Sequence, residues 1–201
     1  DLTARGSDMK LCIDAGHGGH DSGVVGLGGL RESDLNLSIA GRVATLAVLD
    51  GWDVMLTRSS DRFVGLEGRS SLANESRTPV DLFLSLHGNG AVSREAHGVE
   101  FWTSRGQTRS DAVVPHLVEA WKAEFPDVVL RADWSDGDAD KEAGYAVLHL
   151  TKMPAVLVEV GFVSHPPTEA LLRDSEYQVR IARAIVAGLN AWRASIVGGA
   201  A

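Results

Sequence analysis

Four side chains of this sequence have the types needed to activate water: His17, Glu32, His87 and Glu159. Two imidazoles and a carboxylate form the ligand set of many catalytic zinc sites, where the fourth position is left to water. A further glutamate inside an apolar run, "AVLVEVGF", is a candidate general base, because burial raises a carboxyl pKa toward neutrality. His17 stands in "LCIDAGHGGHDSG" (11–23), where glycines at 16, 18 and 19 permit a tight turn and the close approach of a substrate. That run has neither GxxxxGK[ST] nor GxGxxG spacing, which argues against a phosphate loop. Each residue also has a plainer reading. Glu32 opens a predicted helix, where an acid is favoured by the N-terminal dipole. A histidine at a strand end commonly makes an ordinary hydrogen bond, and a buried Glu159 can simply pair with Arg or Lys. Residue pattern alone proposes a metal site without establishing it.

The elements that must position these groups alternate in type. Short apolar runs at 10–15, 52–57, 81–87, 98–104, 145–150 and 155–161 read as strands, bounded by Gly, Pro or Asp. Between them, Leu35, Ile39, Val43, Leu46 and Ala47 recur at helical spacing from Ser33 to Gly51. Further helices are predicted over 65–76, 108–124 and 175–194. The expected fold is a single α/β domain over 9–194, with a mostly parallel sheet of about six strands flanked by helices on both faces. Residues 1–8 read as an appended remnant or a disordered lead-in, and 195–201 as a tail. In open α/β sheets the chemistry gathers at the carboxyl ends of strands. There the first predicted strand delivers His17, the third His87 and the last Glu159.

Composition narrows the function classes. A formal charge of -8 over 201 residues argues against a nucleic-acid partner, since phosphate binding needs a basic surface. No apolar run approaches the roughly 18–20 residues that span a bilayer, so no membrane partner is expected, and the chain reads as a monomer. Cys12, the single cysteine, lies in the first apolar run and reads as a small buried hydrophobe. The polar "DLTARGSD" lacks a signal-peptide core, and Met9 reads as the initiator, which implies synthesis in the cytoplasm without a signal peptide. "RADWSDGDADKEAG" (131–144) carries Asp136, Asp138 and Asp140. Lys141 and Val147 occupy the positions where an EF-hand needs Gly and Glu, so a solvated acidic loop is expected. It would rim the cleft, with Trp134 able to touch glycan or peptide.

Taken together, several blocks resemble the zinc-dependent N-acetylmuramoyl-L-alanine amidases of the Amidase_3 type, which include cell-separation amidases and phage endolysins. They are "IDAGHGGHDSGVVG", "RESDLNLSIA", "LTRSSDRFVGLEGRSSLAN", "DLFLSLHGNG", "HGVEFW" and "MPAVLVEVGFVSHP", in family order, with "YQVRIARAIVAGL" matching the last helix. The resemblance covers about 10–192. It implies one Zn2+ per chain held by His17, Glu32 and His87, with Glu159 as the catalytic glutamate. The implied substrate is peptidoglycan, and the bond is the amide between the lactyl group of N-acetylmuramic acid and L-alanine. Action at the bacterial cell wall, periplasmic or extracellular, follows. Such ligands also accept other divalent metals.

The resemblance leaves other residues in lesser roles. His20 and Asp21 fall outside the ligand set and read as loop-fixing groups. Asn89 reads as orienting the turn after His87, and Arg58 and Arg69 as structural ion-pair partners. His97, His116 and His149 read as ordinary surface or packed histidines. His165 departs from the family's usual Asn beside the catalytic glutamate. No inhibitory helical insertion is expected between His87 and Glu159, which implies an open site and favours a phage-type endolysin over the catalytic part of a secreted bacterial amidase. A zinc carboxypeptidase acting within stem peptides is the enzymatic rival. A wall-binding module without catalysis is the other, and the retained Glu159 counts against it.

Overall fold

Alternation along the strands sets the architecture. In β1 (Lys10–Ala15) the side chains of Leu11, Ile13 and Ala15 enter one apolar cluster while Cys12 enters another on the opposite face. In β3 (Leu82–Asn89) Leu82, Leu84 and Leu86 join the first cluster and Phe83 the second. In β6 (Ala155–Phe162) Val156, Val158 and Val160 face the first, and Ala155 and Leu157 the second. Strands apolar on both faces must be covered on both. Each buried Leu or Val contributes about 1.5–3 kcal/mol.

The computed structural model describes residues 9–198, so the expected lead-in over 1–8 and positions 199–201 lie outside the described residues. The remaining elements are α1 (Glu32–Leu49), β2 (Asp53–Leu56), α2 (Leu66–Asn74), β4 (Glu100–Thr103), α3 (Val114–Glu124), β5 (Lys141–Glu142), α4 (Ala146–His149), α5 (Pro166–Leu172) and α6 (Ser175–Gly198). The six strands form one sheet in the order β2-β1-β3-β6-β4-β5. Neighbours from β2 to β6 run parallel, and β4 lies antiparallel to β6. Helices α1, α3 and α6 cover the larger core, while α2 and α4 cover the smaller one. The expected single α/β domain with a mostly parallel sheet is what the chain forms. No helix among the described residues is long and apolar enough to cross a membrane.

Three sequence expectations need correction. The run 145–150 is not a strand: α4 occupies it, and β5 supplies the sixth strand. Val147 and Leu148 both bury in the smaller core while Tyr145 and His149 stay exposed, a phase that suits a helical turn rather than period-two alternation. The second concerns α5, which was not anticipated; it begins at Pro166, where a missing N–H costs a helix nothing. The last helix runs on to Gly198, past the expected end at 194. Cys12 is fully buried, and burial pushes its thiol up to about 12, so it behaves as a hydrophobe.

Candidate active site

The alternation that builds the core also builds the site. On the smaller-core face, β1 ends in Asp14, β3 in Ser85 and His87, and β6 in Glu159. Main-chain pairing sets Asp14 opposite Ser85 and His87 opposite Glu159. Glu32 arrives from the other side, as the first residue of α1. Donor atoms of His17, Glu32 and His87 lie within 4.8 Å of one another. Glu32 Oε1 sits 3.1 Å from His17 Nε2 and 2.9 Å from His87 Nδ1. The imidazoles cross nearly at right angles, 5.1 Å apart. His17 Nδ1 meets Asp21 Oδ2 at 2.8 Å, which turns Nε2 toward Glu32. Val24 N–H donates to Glu32 Oε2 at 2.9 Å, and Asn36, one helical turn on, approaches Oε1 at 3.4 Å.

Electrostatics follow from this contact. Burial opposes ionisation of Glu32, but hydrogen bonds from His17 and His87 hold its carboxyl well below the ordinary carboxylate range. The hydrogen bond to Glu32 raises the His17 imidazole to about 9 against its desolvation. His87 is desolvated, yet its bond to Glu32 still leaves its pKa raised.

Backbone form explains the glycines. His17 has φ 60, a left-handed conformation that a non-glycine residue adopts only where its surroundings over-determine it. Gly16 leaves no room for a side chain, since a Cβ there would lie 2.2 Å from the His87 ring. The close approach its bareness permits is thus to His87 rather than to a substrate. Gly16→Ala is expected to displace His87 and, should His17, Glu32 and His87 take up a metal, to weaken that binding by about 10–100-fold, the effect of disturbing ligand support; isothermal titration with zinc measures it. Gly23, at φ 60, would drive a Cβ to 2.4 Å from Glu32 Oε2.

Glu159 lines a cleft of about 480 Å³ together with Asp14, His17, His87, Phe63 and Tyr145. Its Oε2 is buried and has no hydrogen-bond partner among the described residues. Burial pushes its carboxyl up to about 7, with His87 pulling the other way.

Residues 11–191 match the Amidase_3 family, described as N-acetylmuramoyl-L-alanine amidase. The chain belongs to that family. Among its relatives, the uncharacterized protein YqiI of Bacillus subtilis is 32% identical, over 90% of this chain and 82% of its own length. The amidase AmiC of Escherichia coli is 30% identical over 94% of this chain, but the match spans only 54% of AmiC. The structure of AmiC2 from Nostoc punctiforme superposes with a TM-score of 0.82 at 31% identity, covering 92% of this chain and 96% of that one. An amidase from Clostridium difficile 630 gives a TM-score of 0.84 at 29% identity, covering 92% and 97%.

In this Amidase_3 chain the other singled-out residues stand apart from the donor cluster. His20 packs its ring on Phe63 at 4.2 Å. Asn89 donates to Glu100 Oε2 at 2.9 Å and accepts from Gly90 N–H at 2.7 Å, so it holds the end of β3. Trp134 is 61% exposed and does not line the cleft. His165 Nδ1 meets Thr168 Oγ1 at 2.7 Å, and its ring stacks with His97. Arg69 pairs with Asp14 at 2.7 Å. Arg58 instead donates to the carbonyls of Ala15, Gly16, Ser33 and Ser60, and ties the His17 turn to α1.

Two hubs escaped the sequence reading. Asp14 accepts from Thr57, Ser85 and Arg69 at 2.6–2.7 Å, and Arg69 goes on to the carbonyls of Ala15 and His17. Asp14→Ala would strand a buried guanidinium, and a loss of about 3–5 kcal/mol of stability is expected in denaturant unfolding. Glu100 pairs with Glu159 across β4 and β6 and accepts from Arg131, Lys141, Asn89 and Trp102. Burial works against its ionisation, but Arg131 and Lys141 keep its pKa low, so a fixed negative charge sits beside Glu159. Acids on paired strands were the available signal.

Proposed function

We propose that this protein is a zinc-dependent peptidoglycan amidase, which cleaves the bond between N-acetylmuramic acid and L-alanine at the bacterial cell wall. The observation that carries the reading is the convergence of the His17, Glu32 and His87 donors, whose two imidazoles line one cleft with Glu159. Two imidazoles and a carboxylate, all on inward-turned side chains, suit zinc and leave room for further coordination. Zinc bound there supplies Lewis-acid polarisation of the amide carbonyl and lowers the pKa of water toward ~7.

The chain's own groups do the rest. Asp21 holds His17 Nδ1, so the imidazole presents Nε2 to the metal. Val24 and Asn36 aim the Glu32 carboxylate. Glu159 takes the proton of the attacking water on its carboxylate and hands it to the leaving L-alanine nitrogen. A carboxyl poised near 7 suits both steps. The fixed charge of Glu100 favours the protonated form of Glu159, which helps it to hold the proton between them.

The phage-endolysin type rests on access to the site. His17 and His87 side chains are 27% and 18% exposed, and α3, the longest helix between His87 and Glu159, packs in the larger core away from the cleft. Purified protein should then act on cell walls unaided, whereas activity that rises only with an added activator protein would remove this assignment. Cleavage itself is tested on muramyl peptides. Release of peptides with a free L-alanine amine is expected, while shortened stems still joined to muramic acid would make the protein a carboxypeptidase.

A further inference from the structure

Residues 24–31 fold back on themselves just ahead of Glu32. Glu32 N–H donates to the Val24 carbonyl at 2.8 Å, Val25 and Arg31 form an antiparallel bridge, and Gly26 N–H donates to the Leu30 carbonyl at 2.9 Å. The tip of this hairpin, 25–29, buries no apolar side chain: Val25 and Leu27 are exposed, and the other three residues are glycines. Glu169, on α5, holds it instead. This residue is 3% exposed, and its two carboxyl oxygens accept from Gly28 N–H at 2.8 Å and Leu30 N–H at 3.1 Å. Arg173, one turn on at the end of α5, donates to the Gly28 carbonyl. Gly26 lies so close that a Cβ there would sit 2.3 Å from Glu169 Cδ, an approach that only glycine permits.

We infer, given the zinc reading of the His17, Glu32 and His87 cluster, that Glu169 is a positioning residue for the Glu32 carboxylate. The connection runs through main chain. Glu169 fixes Leu30, and with it the leg of the hairpin that leads into Glu32. Pairing across the hairpin then places Val24, whose N–H donates to Glu32 Oε2 at 2.9 Å. That bond leaves Oε1 to face His17 Nε2 and His87 Nδ1. Without Glu169, a tip that lacks an apolar anchor is free to lift, and Val24 N–H leaves Oε2. Partners that orient a metal ligand typically matter by about 10–100-fold in metal affinity. Glu169 stands one step further out, so the lower end of that range applies. Because α5 follows β6 directly, the same grip ties the strand of Glu159 to the hairpin that precedes Glu32.

The test compares Glu169→Ala with the unmodified protein in two ways. In the metal-free state, amide hydrogen exchange is followed at Gly28, Leu30 and Val24, relative to the fully buried Leu84 of β3, which reports global opening. Exchange at the three hairpin amides should speed up by about tenfold more than at Leu84, the size expected when hydrogen bonds to a carboxylate are lost. Zinc affinity, by isothermal titration, should fall about tenfold. Glu169→Gln keeps one carbonyl oxygen and should recover part of both. A merely structural role would instead speed exchange at Leu84 as much as at Val24, or leave the zinc affinity of the folded variant unchanged, and either result would overturn the inference. Should Glu169→Ala fail to fold, Arg173→Ala, at an exposed position, frees the same Gly28 from its carbonyl side and should move both readouts in the same direction. Absence of zinc binding by the unmodified protein would remove the metal reading instead, while exchange at Val24 still decides whether Glu169 positions Glu32.

Discussion

Glu159→Gln is expected to lower kcat/KM on peptidoglycan by about 10²–10⁴-fold, the usual contribution of a positioned general base, while zinc binding stays intact. Glutamine keeps the size of the side chain but cannot take a proton. Glu159 makes none of the hydrogen bonds that hold the His17, Glu32 and His87 cluster together, so its loss should spare the metal. The pH profile adds a second readout. Burial raises the Glu159 carboxyl to about 7, and a base works only when ionised. Activity should therefore fall as pH drops through the neutral range, about tenfold per unit below the apparent pKa, and this acidic limb should vanish in the glutamine variant. A loss of zinc in Glu159→Gln would show that the residue holds the metal rather than the proton.

Removal of the metal should have an effect of similar or greater size and a different signature. Chelation, or His87→Ala, is expected to cut the rate by at least about 10³-fold, because Lewis-acid stabilisation is worth several kcal/mol and each 1.4 kcal/mol is tenfold. His87 Nδ1 contacts Glu32 Oε1 at 2.9 Å, so truncation removes one of the proposed ligands and loosens a second. Unlike Glu159→Gln, His87→Ala should lose zinc from the purified protein. The chelated protein should also melt at a lower temperature, since a metal bound only by the native state stabilises it by mass action. Activity unchanged after exhaustive chelation would exclude the metal-dependent reading.

Much of this was legible in the sequence because two signals are local. The period-two pattern of Leu82, Leu84 and Leu86 against Phe83 and Ser85 fixes both the core face and the face on which His87 must emerge. The same reasoning puts Glu159 beside it, given a parallel sheet. Glu32 was less legible, because an acid at a helix start is ordinary; only its neighbours in space, His17 and His87, distinguish it. Run 145–150 misled because Val147 and Leu148 are apolar neighbours, and a four-residue helical turn is too short to show its period. Asp14 and Glu100 were missed since their partners lie far along the chain: Arg69 and Thr57 for one, Arg131 and Lys141 for the other. Asp140, expected in a solvated acidic loop, is instead buried, and the sequence hid this for the same reason, as Thr103 is the group that donates to it.

The most direct measurement is a zinc titration of metal-free protein on purified peptidoglycan, with the soluble products identified by mass spectrometry. Activity should rise with added zinc and level off at one equivalent per chain, and every product should be a stem peptide that begins with a free L-alanine amine. Products shortened at the carboxyl end, or activity independent of zinc, would contradict the assignment.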